Sequence, residues 1–258
     1  MIDGINPNIL HNAYFRGGGS HTGSANFPIN QRGQSSYSSS GYTVDRWTMS
    51  SNASLSFTSG PADAIRLSKA TAGEVVDLSQ KLENIIKGVL TFSALVRVDL
   101  KASGQTDAGY LHIAMKDAYD NDLSDTSGSD PDPTFIYTSS INDVILVESH
   151  YKGDGNSVSS VNFHLDNAVP VNGYVDILAC KLELGNKQTL AHRSGGAWVL
   201  NAPPPDHTIE LMKCQRYFQV YTSAHTAATA TTDWRPVMRA EPDVEHQISG
   251  PYYYSADL

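Results

Sequence analysis

The strongest constraint on this chain is the rhythm of its apolar residues. "YTVDRWTM", "ASLSFTS", "AIRLSKA", "GVLTFSALVRVDL", "GYLHIAMKD", "TFIYTSS", "DVILVESHYK", "SVNFHLD" and "YVDILACKLEL" are short runs rich in β-branched and aromatic residues, many alternating apolar with polar. Clusters of Gly, Asn, Asp, Ser and Pro separate them, and "KGDGNS" reads as a hairpin-like connection. Helix signals are few. "VVDLSQKLENIIKG" places Val76, Leu82, Ile85 and Ile86 partly at helical spacing, with Gly88 as a candidate cap, although a turn-rich crossover fits as well. In "DHTIELMKCQRYF", Asp206 stands as an N-cap directly after three prolines. Many short strands must each bury one face against a partner sheet, so the expected fold is all-β, a jelly-roll β-sandwich.

Length sets the partition. With 258 residues, the chain accommodates one large β domain and a small appendage, or two modest domains. The stretch "RSGGAWVLNAPPPDH" joins flexible glycines to prolines that cannot enter a sheet ladder. The expected division is therefore a jelly-roll domain over 1–195, a linker over 196–208 and a β-rich C-terminal segment over 209–258. That last segment is rich in aromatics and poor in aliphatics, so it is expected to find its burial against the main domain or against copies of itself.

Charge and targeting signals narrow the partners. A net charge of -9, with no Lys/Arg patch, repels phosphate backbones and argues against nucleic acid. The start "MIDGINPNIL" lacks a basic and an apolar signal region, and "YVDILACKLEL" is too short and polar to span a bilayer. A soluble chain made in the cytoplasm, without membrane insertion, is the expectation. Cys180 and Cys214 are too few for a disulfide scaffold and lack zinc spacing, so both read as buried thiols.

The ordered motifs "NPNILHNAYF", "INQRG", "GYTVDRW", "CKLELGNKQT", "IELMKCQRYFQVY" and "WRPVMRAEPDV" resemble those of phage and prophage tail-fibre or receptor-binding proteins, similar in layout to carbohydrate-binding-module-like jelly rolls. The resemblance implies a virion protein of the phage tail, made in the host cytoplasm, that binds bacterial cell-surface glycan beside other tail proteins as a homotrimer. It also implies that "QRG" is a turn, that the serine tract is a solvated loop, and that "YTVDRW" is a strand entering the sandwich with Trp47 in the core. Asp45 and Arg46 are then expected to satisfy polar groups at the strand's edge.

Catalysis has no motif behind it. The chain lacks a Gly-x-Ser-x-Gly elbow, a His-Glu-x-x-His helix and a P-loop, and its histidines, among them His112 and His164, are scattered singly. No catalytic residue and no metal ligand is assigned. The acidic loop "KDAYDNDLSDTSGSDPDP" is rich in oxygen ligands, and Asp120, Asn121, Asp122 and Asp125 suit a structural calcium in type, yet the EF-hand glycine and glutamate are missing. Tyrosines are the better contacts, because flat amphipathic rings stack on sugars while the hydroxyl hydrogen-bonds. The candidate glycan site is therefore Tyr119, Asp120, Asp122 and Tyr151, all placed next to loops. A second function remains open, a purely structural virion subunit of the baseplate or fibre attachment.

Overall fold

A computed structural model of the chain describes residues 6–16, 27–58, 63–101, 109–123, 135–136, 140–221, 243–245 and 252–255. In chain order the strands are β1 (Ser36–Tyr37), β2 (Gly41–Tyr42), β3 (Thr48–Met49), β4 (Ala53–Thr58), β5 (Ala64–Lys69), β6 (Val76–Ile86), β7 (Leu90–Asp99), β8 (Leu111–Lys116) and β9 (Phe135–Ile136). They continue with β10 (Ser140–Tyr151), β11 (Val158–Leu165), β12 (Tyr174–Leu184), β13 (Ala191–Ser194) and β14 (Ala197–Leu200). After helix α1 (His207–Gln215) come β15 (Phe218–Tyr221), β16 (Asp243–Glu245) and β17 (Tyr252–Ser255).

The winding is that of a jelly roll. β8 pairs with β9, β7 with β10, β6 with β11 and β5 with β12, all antiparallel, which makes one long nested ribbon. Successive pairs of that ribbon fall in opposite sheets, and β12 then closes onto β7 while β11 closes onto β8. The first sheet runs β1-β4-β5-β12-β7-β10 and the second β2-β3-β6-β11-β8-β9. Between them the Trp47, Phe163 and Phe92 rings stand 6.0 and 5.5 Å apart in sequence.

Four local expectations need correction. The stretch with helical spacing is strand β6: Val76, Leu78, Gln80 and Leu82 are buried in strict alternation, whereas Ile85, one of the supposed helical anchors, is 67% exposed. A period of two wins because the partner sheet buries every second residue. Gly88, at φ 118°, turns the chain from one sheet to the other and caps no helix. The "KGDGNS" stretch likewise bridges β10 and β11, which lie in different sheets, so it is an arch and not a hairpin. "YTVDRW" is not one strand. It turns between β2 and β3, with Thr43 N donating to the Trp47 carbonyl at 2.8 Å and Arg46 at φ 75°.

The fourth concerns the linker. Residues 197–200 form β14, paired with β13 around Gly195 and Gly196, and Trp198 and Leu200 pack on Leu95 and Leu178 of the first sheet. Apolar side chains in "AWVL" hold this hairpin against the sandwich. Helix α1 forms where expected, with the Asp206 carboxylate accepting from Ile209 N at 3.0 Å. Beyond it, β15, β17 and β16 make a small three-stranded sheet.

The resemblance-bearing motifs meet in one place. The buried Asn12 side chain donates to the Ile29 and Asp45 carbonyls, both at 2.8 Å, and accepts from Ile29 N at 2.7 Å, while its own N–H goes to Glu210 on α1. Asp45 accepts from Gln31 N and from Arg32, whose guanidinium lies 3.8 Å from the Phe218 ring centre. Arg46 donates to the Lys81 carbonyl at 2.7 Å and stacks 3.4 Å from the Tyr217 ring centre. Trp47 is fully buried, and its indole N–H donates to the Asn12 carbonyl at 2.9 Å. Thus Asp45 and Arg46 clamp the helix and β15 onto the sandwich. Both cysteines are buried free thiols, and burial pushes each thiol pKa up.

Candidate functional site

Three strands of the second sheet build a polar grid on its outer side. In β6, β11 and β8 the inward residues are aliphatic or aromatic, apart from Gln80, so the alternate positions face outward. Register then aligns them: Asp77 opposite His164 opposite His112, Ser79 opposite Asn162 opposite Ala114, and Lys81 opposite Ser160 opposite Lys116.

The corner around Asp77 is fixed by hydrogen bonds. Its Oδ1 accepts from Asn162 Nδ2 at 2.7 Å and stands 2.9 Å from His164 Nδ1, and Asn162 Oδ1 accepts from Ser79 at 3.3 Å. Burial raises the Asp77 carboxyl pKa, but the bonds from His164 and Asn162 outweigh it and leave it below its ordinary 3.8. Asp77 is therefore an ionised acceptor. The Tyr110 ring lies 6.2 Å from the His164 ring at an interplanar angle of 37°, adding an aromatic surface beside the polar triplet. Tyr110 is placed by its N–H, which donates to Asp166 at 3.3 Å.

A stiff turn closes the rim after β8. Asp117 accepts from the N–H groups of Tyr119 and Asn121, at 2.8 and 2.9 Å, and from the Asn121 amide at 2.9 Å. The bond from the Asn121 side chain leads in holding the Asp117 pKa below 3.8. This turn leaves Tyr119 86% exposed, and it directs Asp120 to Lys116 at 3.1 Å and Asp122 to His112 at 3.3 Å. The calcium ligands considered from sequence do not converge. Asp120, Asn121 and Asp122 point to Lys116, Asp117 and His112, and Asp125 lies outside the described residues. Among the described residues no three His, Cys, Asp or Glu side chains gather around a metal position.

Of the four residues expected at the site, three sit together and one does not. Tyr119, Asp120 and Asp122 share the rim of the second sheet. Tyr151 lies in the first sheet, opposite Leu90, with 2% of its surface exposed. Its hydroxyl reaches Asp154 at 2.7 Å and the Asn156 carbonyl at 3.0 Å, tying the arch; burial is the main reason its pKa rises. A ring inside the core offers no face to a sugar. Sequence reasoning missed Asp77, Asn162, Lys116 and Tyr110. The available signal was the outward set in "VDLSQKL", "VNFHL" and "LHIAMK", where Asp, Asn and His replace the usual Ser, Thr and Lys.

No family model and no curated protein matches this sequence. Among solved structures it is similar to an arabinose-bound MgGH51 α-L-arabinofuranosidase, at TM-score 0.46 and 15% identity over 71% of this chain and 27% of that one. It is also similar to the enzymatically active domain of tailspike protein 4 of bacteriophage CBA120, at TM-score 0.36 and 16% identity over 69% of this chain and 21% of that one. A third is the CBM22-1 xylan-binding domain of Paenibacillus barcinonensis Xyn10C, at TM-score 0.38 and 10% identity over 70% of this chain and 96% of that one. The chain thus spans about a quarter of the first of these proteins and a fifth of the second.

Proposed function

We propose that this chain is a non-enzymatic subunit of a bacteriophage tail that binds host cell-surface glycan through the outer face of its second sheet. The observation that carries the reading is the Asp77–Asn162–His164 triplet. Asp77 and His164, 2.9 Å apart, are partly exposed on that face, and the buried Asn162 holds Asp77 in place at 2.7 Å, with Tyr110 beside them and Tyr119 at the rim. Prearranged acceptors and donors recognise sugar hydroxyls at little ordering cost, and flat rings cover the C–H faces. The same geometry favours binding over hydrolysis. A general acid needs a raised carboxyl pKa, and Asp77 is held low by two donors.

A site this shallow is expected to be weak in one subunit. Several copies in one fibre then raise avidity without a new contact, which suits a homotrimer set beside other tail proteins in the virion. The test is a glycan array with the purified chain, repeated for Asp77→Ala and Tyr119→Ala after thermal melting has shown both to be folded. Glycan binding that falls at least about tenfold in either variant supports the reading, since a hydrogen bond to a charged group contributes about 1.5 to 3 kcal/mol. Absence of binding by the parent chain at fibre-like valency defeats it and leaves the purely structural virion subunit.

A further inference from the structure

A cavity of about 380 Å³ lies on the other side of the molecule, between the N-terminal segment, β12, the stretch after it and α1. Leu10, Tyr14, Leu190 and Leu200 form its walls, with Ala202 and Pro203 at the rim. Its size matches a small-ligand site. Three charged side chains also line it: Glu210 and Lys213, which pair with each other at 3.0 Å, and Lys181, only 5% exposed.

The polar accounting around Lys181 defines what fits. Its ammonium reaches Thr189 Oγ1 at 2.6 Å and Glu183 Oε2 at 3.3 Å, and an ammonium has three donors. One donor is left. Glu183 is itself taken up by Thr189, accepting from its N–H at 2.7 Å and its hydroxyl at 2.6 Å. Charge is already balanced, because Glu183 offsets Lys181 and Glu210 stands 3.0 Å from Lys213. A carboxylate would add an uncompensated negative charge in a half-buried site. A hydroxyl-only sugar would place polar edges against apolar walls. A neutral carbonyl oxygen attached to a small apolar group satisfies both the free donor and the walls.

We propose that this cavity receives the acetamido group of an N-acetylated sugar, with the carbonyl on Lys181 and the methyl against the leucines. The proposal rests on the glycan-binding reading but concerns a separate site, on the first sheet's side rather than the second's. The experiment titrates the full chain with N-acetylglucosamine and, separately, glucose, following backbone amides by NMR. N-acetylglucosamine is expected to shift Lys181, Thr189 and Leu190, and glucose to leave them unmoved. Lys181→Met should weaken that response about tenfold, as loss of a charge-assisted hydrogen bond implies. Because Lys181→Met strands the buried Glu183, Ala202→Trp serves as the second variant. It fills the cavity from an exposed position and should abolish the response at an unchanged melting temperature. Equal shifts with glucose, shifts confined to the second sheet, or an undiminished response in folded Ala202→Trp overturn the proposal. Should the cavity respond while the glycan array stays blank, the adsorption reading fails and the cavity assignment stands; an array hit with a silent cavity does the reverse.

Discussion

Acid should destabilise this protein through His11 while Asp77 and Asp117 are still ionised. The His11 backbone is stitched to Gln80, its N–H donating to Gln80 Oε1 at 2.9 Å and its carbonyl accepting from Gln80 Nε2 at 2.7 Å. The ring's Nδ1 is buried and has no partner among the described residues. Burial first, and then the Arg46 guanidinium, lowers its pKa from 6.5 to about 4. The folded state thus favours neutral His11, so its contribution is complete above pH 6.5 and is lost as pH falls towards about 4. Between those two values the full loss is about 3 kcal/mol, and about 2 kcal/mol of it has gone by pH 5, at about 1.4 kcal/mol per pH unit. Asp77 and Asp117 stay ionised through this window, because both are held below 3.8. Urea unfolding at pH 7, 6, 5 and 4.5 measures the effect, with His11→Leu as the variant that cannot titrate. The parent should lose about 2 kcal/mol between pH 7 and pH 5 relative to the variant. Parallel stability curves for the two proteins would refute the reasoning, since they would mean that His11 is protonated as readily in the fold as outside it.

Other outcomes follow from the same contacts. Trp47→Ala should cost about 3 to 5 kcal/mol in chemical unfolding, as a fully buried large ring does. Asn12→Ala should cost about 2 to 3 kcal/mol and loosen α1, because it strands the Ile29 N–H and two carbonyls, which amide hydrogen exchange will register. Tyr119→Ala should leave stability within about 0.5 kcal/mol while reducing cell adsorption, given a ring with no packing role. Tyr151→Phe should do the opposite, losing about 1 kcal/mol of stability with the Asp154 bond and leaving adsorption intact.

Strand content was legible because burial between two sheets writes a period of two into any strand with one solvated side. "SVNFHLD" and "GYLHIAMKD" show that alternation and became β11 and β8. β6 obscured it by carrying Ile85 and Ile86 at its end, where the ladder leaves the core and an exposed isoleucine mimics a helical repeat. The turn inside "YTVDRW" was hidden for a different reason. Arg46 adopts a positive φ that its residue type does not advertise, and the buried Asn12 and Asp45 network holds it there. A tertiary constraint of that kind leaves no local pattern.

The site was half legible, and the half that was missed depends on register. Tyr119, Asp120 and Asp122 were found because a polar loop beside an aromatic residue is visible in one window of sequence. Asp77, Asn162 and His164 come from two strands separated by more than 80 residues, and only the pairing of β6 with β11 sets them side by side. A slip of β11 by one residue in that pairing would turn Asn162 and His164 toward the core, away from Asp77, and bring Phe163 out, so the hydrophobic interior dictates the polar grid. Recognition chemistry on this sheet is thus a consequence of core packing. Substitutions such as Phe163→Ala should disturb the triplet without touching it, and loss of the His164–Asp77 bond in the NMR spectrum of that variant is the observable that links the two.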